Sequence, residues 1–148
     1  MELEIHIKSK PRHAFINVAA EVYIRKLKLT SSKHKVVIYS VPNLLKEEGI
    51  NGFVYPHSDK EIFLGLESRL SVPDICLTLA HEMVHVKQYA KGQLKQRPKR
   101  SGKVEHIWMG KVNKESYYDC PWELEAFSRE RVLANEIVKI LTSNPLNK

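Results

Sequence analysis

The sequence has little cysteine and no long apolar segment, and these two absences narrow the class of protein. Its 148 residues include only Cys76 and Cys120, too few for a disulfide-stabilised fold, and they do not form a C-x-x-C pair. No stretch reaches the roughly 20 apolar residues that a membrane-spanning helix needs. Residues 1–7 alternate polar and apolar side chains and lack the apolar core of a signal peptide. We therefore expect a cytoplasmic protein that does not associate with membranes.

Motifs for several common functions are also absent. The chain has no internal repeat, no zinc-finger spacing, no helix-turn-helix signal and no glycine-rich phosphate loop. Its composition, with 43% hydrophobic and 28% charged residues, is typical of a globular domain. We predict one domain over residues 1–148. The formal net charge of +7 indicates attraction to nucleic acid or to acidic partners without specifying either.

Hydrophobic periodicity predicts strands in the first half of the chain and two long helices later. The predicted strands cover residues 2–7, 34–41, 52–55, 60–67 and 104–112. The predicted helices cover residues 12–28, 44–48, 73–90 and 121–142. A hairpin turn is expected at 56–59, and a basic loop at 91–103. The predicted fold class is α+β.

One predicted helix carries a motif for metal chemistry. Residues 81–85, His-Glu-Met-Val-His, match H-E-x-x-H. Histidines four residues apart lie about 40° apart around a helix, so His81 and His85 can bind one ion. Glu82 stands beside them and can reach a water on that ion. Two ordinary surface histidines are the alternative interpretation, but that leaves Glu82 and the acidic residues downstream unexplained.

A catalytic zinc ion needs a third protein ligand and one open position. The candidates all lie downstream, at Glu105, His106, Asp119, Glu123 and Glu125. Glu123 shares a face of the last helix with apolar residues, whereas Glu125 lies on its polar side. A carboxylate on an apolar face is costly unless it has a partner, and zinc is such a partner. We predict His81, His85 and Glu123 as zinc ligands; the alternative for Glu123 is a role at the helix N-terminus.

Three segments resemble a known class of enzyme: His81–Gln88, Trp108-x-Gly110 and Tyr118–Ala126. Over roughly residues 60–140 the chain resembles the zincin metallopeptidases, in particular small phage and bacterial proteins of the SprT-like group. The spacing Glu123-x-x-Ala126 is similar to the glutamate-ligand helix of gluzincins, whereas SprT-like proteases usually supply a histidine. The resemblance implies a zincin-like domain with a small, mostly antiparallel sheet, a central H-E-x-x-H helix and a C-terminal third-ligand helix.

The activity that this resemblance implies is zinc-dependent hydrolysis of peptide bonds, with Glu82 as general base. Tyr117, Tyr118 and His106 are candidate donors to the oxyanion because they precede the third-ligand helix. In zincins the strand before the metal helix lies at the sheet edge, so residues 60–66 would bind an extended peptide. The expected partner is a peptide or protein substrate, in the host cytoplasm if the chain is encoded by a phage.

The basic segment 91–103 leaves two other classes of function open. It contains six Lys or Arg and no acid, a composition that can follow a phosphate backbone through weak contacts. It has no aromatic residues for base stacking, so a solvated loop is the preferred interpretation. The alternatives to a peptidase are a catalytically silent zincin and a basic module that binds nucleic acid or protein. A fourth protein ligand such as His106 would indicate a structural zinc.

Overall fold

The structure, a computed structural model, describes residues 1–114 and 119–143. In chain order the elements are β1 (Glu2–His6), α1 (Lys10–Lys26), β2 (Lys35–Val41), α2 (Leu44–Glu48), β3 (Gly52–Pro56), β4 (Glu61–Glu67), α3 (Val72–Ala90), β5 (Leu94–Pro98), β6 (Val104–Trp108), β7 (Lys111–Val112) and α4 (Pro121–Ser143). The fold class is α+β, as predicted. None of the described helices combines the length and apolar character needed to cross a bilayer.

The first sheet has four strands in the order β1-β2-β4-β3. β1 pairs with β2 and β2 pairs with β4 in parallel, and only β3 and β4 are antiparallel. The prediction of a mostly antiparallel sheet is therefore wrong for this sheet. The connection explains the difference, because the 17-residue helix α1 joins β1 to β2. Parallel neighbours need such a crossover, whereas antiparallel neighbours can be joined by a tight turn.

β3 and β4 form the predicted hairpin, with Tyr55 opposite Phe63. β4 lies between β2 and β3, so the prediction that segment 60–66 is an edge strand is wrong. The edge strand beside α3 is β3. Gly52 lets this strand approach α3 closely, since a Cβ at that position would lie 3.0 Å from the side chain of Thr78 and 3.1 Å from that of Glu82. The edge of the sheet is thereby held against the helix that carries the H-E-x-x-H motif.

α3 crosses one face of this sheet and supplies much of the core. It begins after Ser71, whose hydroxyl accepts a backbone N–H of the first turn, and it has Pro73 in that turn. It ends before Gly92, which has a φ of +70°. The side chains that it buries toward the sheet and α1 include Ile75, Cys76, Leu79, Met83 and Val86. Fully burying one such side chain contributes about 1.5–3 kcal/mol.

The segment predicted as a basic loop forms part of a second, three-stranded sheet in the order β5-β6-β7. Residues 94–98 are β5, which pairs antiparallel with β6, so the loop prediction is wrong for them. Their lysine, arginine, glutamine and proline residues favour strands weakly, but Leu94 anchors the strand in a small cluster with Trp122 and Trp108. The predicted strand 104–112 is divided into β6 and β7 by Met109 and Gly110, both with positive φ.

α4 packs along α3 and also touches α1. Its first turn buries Glu123, and its later turns bury Ala126, Leu133 and Ile137. Phe127 is half exposed, so the face of α4 that carries Glu123 is only partly enclosed. The inward direction that was inferred for Glu123 from helical spacing is confirmed. α4 thus brings one buried carboxylate to the polar face of α3.

Candidate metal centre

Three atoms that could bind a metal, two from α3 and one from α4, converge on one point. Nε2 of His81 lies 3.0 Å from Oε1 of Glu123, and Nε2 of His85 lies 3.2 Å from the same oxygen. The two nitrogens are 3.3 Å apart. A tetrahedral zinc ion with bonds of about 2.0–2.1 Å separates its ligand atoms by about 3.3 Å. The three side chains are therefore spaced as the ligands of one zinc ion would be.

The second ring nitrogen of His85 has a partner that fixes the position of its hydrogen. Nδ1 of His85 lies 2.8 Å from Oε1 of Gln88. The amide nitrogen of Gln88 donates to the carbonyl oxygen of Trp122 at 3.0 Å and to Oε1 of Glu125 at 2.8 Å. Both of these groups only accept, so the amide presents its oxygen to His85 and Nδ1 is the donor. Neutral His85 then has its lone pair on Nε2, directed at the point of convergence.

His81 lies between two carboxylates, and the shorter of its two contacts favours the same tautomer when the ring is neutral. Its Nδ1 lies 2.7 Å from Oε2 of Glu130, which accepts. Glu123 and Glu130 are seven residues apart, about two turns of α4, so one helix supplies the partner of each ring nitrogen. Hydrogen bonds of this kind from a ligating histidine to an outer carboxylate orient the ring and raise its basicity. Neutral His81 therefore also directs a lone pair at Glu123.

When both histidines are neutral, three acceptor atoms thus face one another with no hydrogen between them. Lone pairs and a carboxylate oxygen at separations of 3.0–3.3 Å repel unless a cation lies among them. Protons or a metal ion can supply that positive charge. Two imidazoles and one carboxylate are a ligand set that catalytic zinc uses, with the fourth position left open. The residues at this site therefore fit zinc.

Protons are the alternative to a metal ion at this site, and the pKa values reflect that competition. Burial alone would lower the pKa of His81, but the hydrogen bond with Glu123, the charge of Glu82 and the hydrogen bond with Glu130 raise it to about 8. The pKa of His85 is also raised against the effect of burial, chiefly by Glu123. Burial would raise the pKa of Glu123, but its hydrogen bonds with the two histidines lower it to about 2. A metal ion must therefore displace protons from the histidines.

Glu82 lies beside the three metal-binding atoms but is not itself one of the possible ligands. It is buried, and burial raises the pKa of its carboxyl group above the usual range, although the nearby histidines oppose this. A carboxylate with a raised pKa is a better proton acceptor near neutral pH than an ordinary one. Gly52 of the edge strand approaches its side chain closely, which restricts where the carboxylate can move. Its position suits proton transfer at the point of convergence.

The site opens onto a cleft of about 470 Å³ that lies between the two sheets. On one side it is lined by Ile50 and by Gly52, Phe53 and Val54 of β3. The other side is lined by Leu94, Gln96, His106, Asn113, Cys120 and Trp122. β3 on one side, and β5, β6 and the start of α4 on the other, therefore bound one channel, which His81, His85 and Glu123 also line.

Two hydrogen-bonding side chains, Tyr89 and His106, also line this cleft. Tyr89 follows His85 by four residues on α3, and its hydroxyl oxygen accepts from the amide of Gln96 at 3.0 Å. Burial raises the pKa of Tyr89 to about 12, so the hydroxyl keeps its hydrogen and can donate it. His106 stacks on Trp122 with ring centroids 5.1 Å apart, and burial lowers its pKa.

Two other candidate ligands from the sequence, Glu105 and Glu125, form ion pairs instead. Glu105 pairs with Arg97 at 2.6 Å, and Glu125 pairs with Lys87 at 2.6 Å. Among residues 1–114 and 119–143, the group able to hold a metal consists of the three predicted ligands and contains neither His106 nor Asp119. Tyr117 and Tyr118 lie outside the described residues. A fourth protein ligand is therefore not found within the described part of the chain.

Three residues near the centre were missed by the analysis of the sequence. They are Gln88, Tyr89 and Glu130. Each lies at a helical spacing from a predicted ligand, three or four residues after His85 or seven residues after Glu123. Spacing therefore supplied a signal, but many other residues share it, and the choice needed the relative placement of α3 and α4.

No protein-family model, curated protein or solved structure matches this chain. The chemistry of the site is therefore what carries the functional argument.

Proposed function

We propose that this chain is a zinc-dependent peptidase with a zincin-like domain and a glutamate as third ligand. The observation that carries this proposal is the convergence of three acceptor atoms, from His81, His85 and Glu123, beside the buried Glu82. Two features support it further: the tautomers of both histidines are fixed by outer partners, and the centre opens onto a cleft. A structural zinc would instead be enclosed by four protein ligands.

The side chains of the centre divide the work of peptide hydrolysis among them. Zinc, when bound, lowers the pKa of a water molecule and polarises a carbonyl oxygen. Glu82 takes a proton from the attacking water and passes it to the leaving amine. The hydrogen bond with Glu130 keeps the imidazole of His81 oriented while the charge at the centre changes.

A donor to the developing oxyanion completes the proposed mechanism. His106 was a candidate from the sequence, and it lines the cleft. Tyr89 is a second candidate within the cleft, because its hydroxyl hydrogen is not used in the bond that it accepts from Gln96. Tyr117 and Tyr118 stay predictions. Of the described residues we favour Tyr89, since it lies one turn beyond His85 and interacts electrostatically with Glu123 and Glu82.

The substrate is a peptide or protein segment in extended conformation. β3 pairs only with β4 among the described strands, and its residues line the cleft. An extended peptide can add to such an edge through backbone hydrogen bonds. Strand addition would place a peptide bond along the channel that His81, His85 and Glu123 also line. This role, which the sequence suggested for segment 60–66, is thereby reassigned to β3.

Metal analysis followed by cleavage of a peptide library tests the proposal. The wild-type protein should bind one zinc ion and cleave peptides. Glu82→Gln should keep the zinc but lose about 10²–10⁴-fold in cleavage rate, the usual worth of a general base. Glu48→Gln, the same substitution at an exposed site on α2, should change neither property.

Each failure of this experiment has a distinct meaning. Zinc binding without cleavage of any peptide would favour the catalytically silent zincin, which binds a partner protein. No zinc binding would remove the basis of the proposal and favour the basic binding module. Equal cleavage by wild type and Glu82→Gln would show that the base is another group.

A second candidate function is a contact with nucleic acid through the second sheet. Residues 91–114 contain eight Lys or Arg and one Glu, an excess that equals the formal net charge of +7 of the whole chain. The remaining residues are therefore balanced in charge. Lys95, Arg97, Lys99 and Arg100 are exposed there. Binding of single- and double-stranded oligonucleotides at several salt concentrations tests this contact, which requires affinity to fall steeply as salt rises.

A further inference from the structure

Behind His85 lies a buried group of polar side chains that the proposed peptidase mechanism does not by itself require. Gln88 is 0% exposed and Lys87 is 5% exposed, which is rare for residues of these types. Lys87 donates to Oε2 of Glu125 at 2.6 Å, and Gln88 donates to Oε1 of the same carboxylate at 2.8 Å. Arg129 lies 3.5 Å from that carboxylate on its exposed side. Glu125 therefore connects α4 to two consecutive residues of α3.

Stability alone is a weak reason for such an arrangement. Buried ion pairs lose much of their attraction to desolvation, and apolar residues of similar volume often serve the fold equally well. The hydrogen bonds of Gln88 also hold its amide in one orientation, which packing alone does not require. Both acceptors near Gln88, Glu125 and the carbonyl of Trp122, face its nitrogen, so that its oxygen faces Nδ1 of His85.

The two histidines differ in how much support their outer partners need. A carboxylate such as that of Glu130 accepts through either oxygen, so turning it over never offers a donor to Nδ1 of His81. The amide of Gln88 can turn by 180° and would then offer a donor to His85, which would move the lone pair of the ring to the wrong nitrogen. A glutamine in this position therefore needs groups that hold it in one orientation.

We propose that Gln88 is a positioning residue for the metal centre, and that Glu125 and the Trp122 carbonyl fix its amide so that His85 presents Nε2 to the metal. Lys87 pairs with the other oxygen of Glu125 and has no part in orienting the amide, since Arg129 also faces that oxygen. This inference rests on the metal site of the proposed function but not on peptidase activity. Two glutamates of α4 thus act on one histidine of α3: Glu123 from the metal side and Glu125 from behind, through Gln88.

Zinc affinity and the tautomer of His85 together test the inference. Gln88→Met keeps the size of the side chain but leaves only a weak acceptor. We expect zinc affinity to fall about 10–100-fold, as for loss of other outer partners of a ligand. Nitrogen-15 NMR of the His85 ring in the metal-free protein at alkaline pH, where the ring is neutral and no metal fixes its tautomer, should show less of the form with hydrogen on Nδ1.

Two further variants separate positioning from packing. Lys87→Met disturbs the same buried group without touching the amide, so it should lower thermal stability while zinc affinity changes by less than about threefold. Gln88→Glu combined with Glu125→Gln puts a carboxylate behind His85 and an amide on α4 that can donate to it. This pair should restore the Nδ1–H form and bring zinc affinity back to within about threefold of wild type, with some loss of stability at the Trp122 carbonyl.

The inference is overturned if Gln88→Met binds zinc as tightly as wild type and keeps the Nδ1–H form. It is also overturned if Lys87→Met weakens zinc binding as much as Gln88→Met does while the tautomer stays the same, because the group would then act only through packing. A wild-type protein that shows the expected zinc affinities but cleaves no peptide would instead count against the proposed function alone.

Discussion

The α3–α4 pair and the β5–β6–β7 sheet both line one cleft, yet they use charged groups in opposite ways. Between the helices, the polar side chains are buried or partly buried and have partners at hydrogen-bond distance, as at His81, His85 and Gln88. On the second sheet, most of the charged side chains are exposed and of one sign. Arg97 and Glu105 form the ion pair found there among the described residues.

The difference predicts two kinds of response to substitution. A buried polar group that loses its partner bears the full cost of desolvation, so single changes between the helices should have large and specific effects. Exposed charges act over distance and are screened by salt, so single changes on the sheet should have small and additive effects.

The sharpest test of this contrast uses the same substitution in both regions. Glu123→Gln removes the charge from the predicted third ligand, and we expect zinc affinity to fall by more than about 100-fold, beyond the loss typical of an outer partner. Glu105→Gln removes a charge from the second sheet and should leave zinc affinity unchanged. Isothermal titration of the metal-free proteins measures both. Equal affinities for the two variants would mean that Glu123 is not a ligand.

Tyr89 lies where the two regions meet, because it belongs to α3 but accepts a hydrogen bond from Gln96 of β5. If Tyr89 stabilises the oxyanion, Tyr89→Phe should lower the cleavage rate about 10–100-fold at unchanged zinc affinity, somewhat less than the loss of a fully formed oxyanion donor. Gln96→Leu keeps the tyrosine hydroxyl and should cost less. If Tyr89→Phe cleaves peptides as fast as the wild type, the oxyanion donor would instead be His106 or one of the tyrosines at 117 and 118.

Much of the helix pair could be predicted from the sequence because helical spacing is local information. The two histidines and Glu123 each lie at a spacing that selects a face, and the structure brings those faces together. The partners of the histidines on α4 could not be chosen in this way. Glu125 was assigned to a polar side, and it is indeed partly exposed, but its carboxylate reaches Gln88 and Lys87. That contact depends on how α4 packs across α3.

The sheets were harder to predict because strand pairing is not local. The order of β1, β2 and β4 and the edge position of β3 depend on crossovers through α1 and α2. The pattern of segment 60–67 is compatible with an edge or an interior strand. β5 was missed since its composition is polar, and only its pairing with β6 and the burial of Leu94 make it a strand.

The pH dependence of zinc binding should sharpen the comparison, since protons compete at the helix pair and not at the sheet. His81 has a pKa of about 8 without metal, so it is largely protonated at pH 7 and must lose that proton to bind zinc. Loss of the His81 proton alone should raise apparent affinity by up to about tenfold per pH unit between pH 6 and pH 8, and a proton lost from His85 would add to this. Titrations at pH 7 in buffers of different ionisation enthalpy should show release of about one proton or more.

The stability of the metal-free protein should fall over the pH range in which zinc affinity rises. A raised pKa at His81 stabilises the fold below the unfolded value of 6.5, and this contribution is lost as pH rises through about 8. A lowered pKa at Glu123 stabilises the fold above 4.5 and is lost as pH falls toward 2. Zinc should therefore protect most strongly at alkaline pH, where the metal-free centre is weakest. Thermal unfolding with and without zinc across this range measures the difference, and a constant shift would contradict it.

The smallest effects are expected on the second sheet. Lys99→Gln combined with Arg100→Gln removes two exposed charges at the end of the β5–β6 hairpin. If these residues contact phosphates, the slope of log affinity against log salt for double-stranded DNA should fall by about two, with only a several-fold loss of affinity near physiological salt. Lys99→Arg combined with Arg100→Lys keeps the charge and should bind as wild type does. Zinc affinity should be the same in all of these proteins, because exposed charges on the hairpin are screened from a centre whose partners lie within hydrogen-bond distance. A change in zinc affinity in either double variant would mean that the second sheet and the α3–α4 pair are coupled.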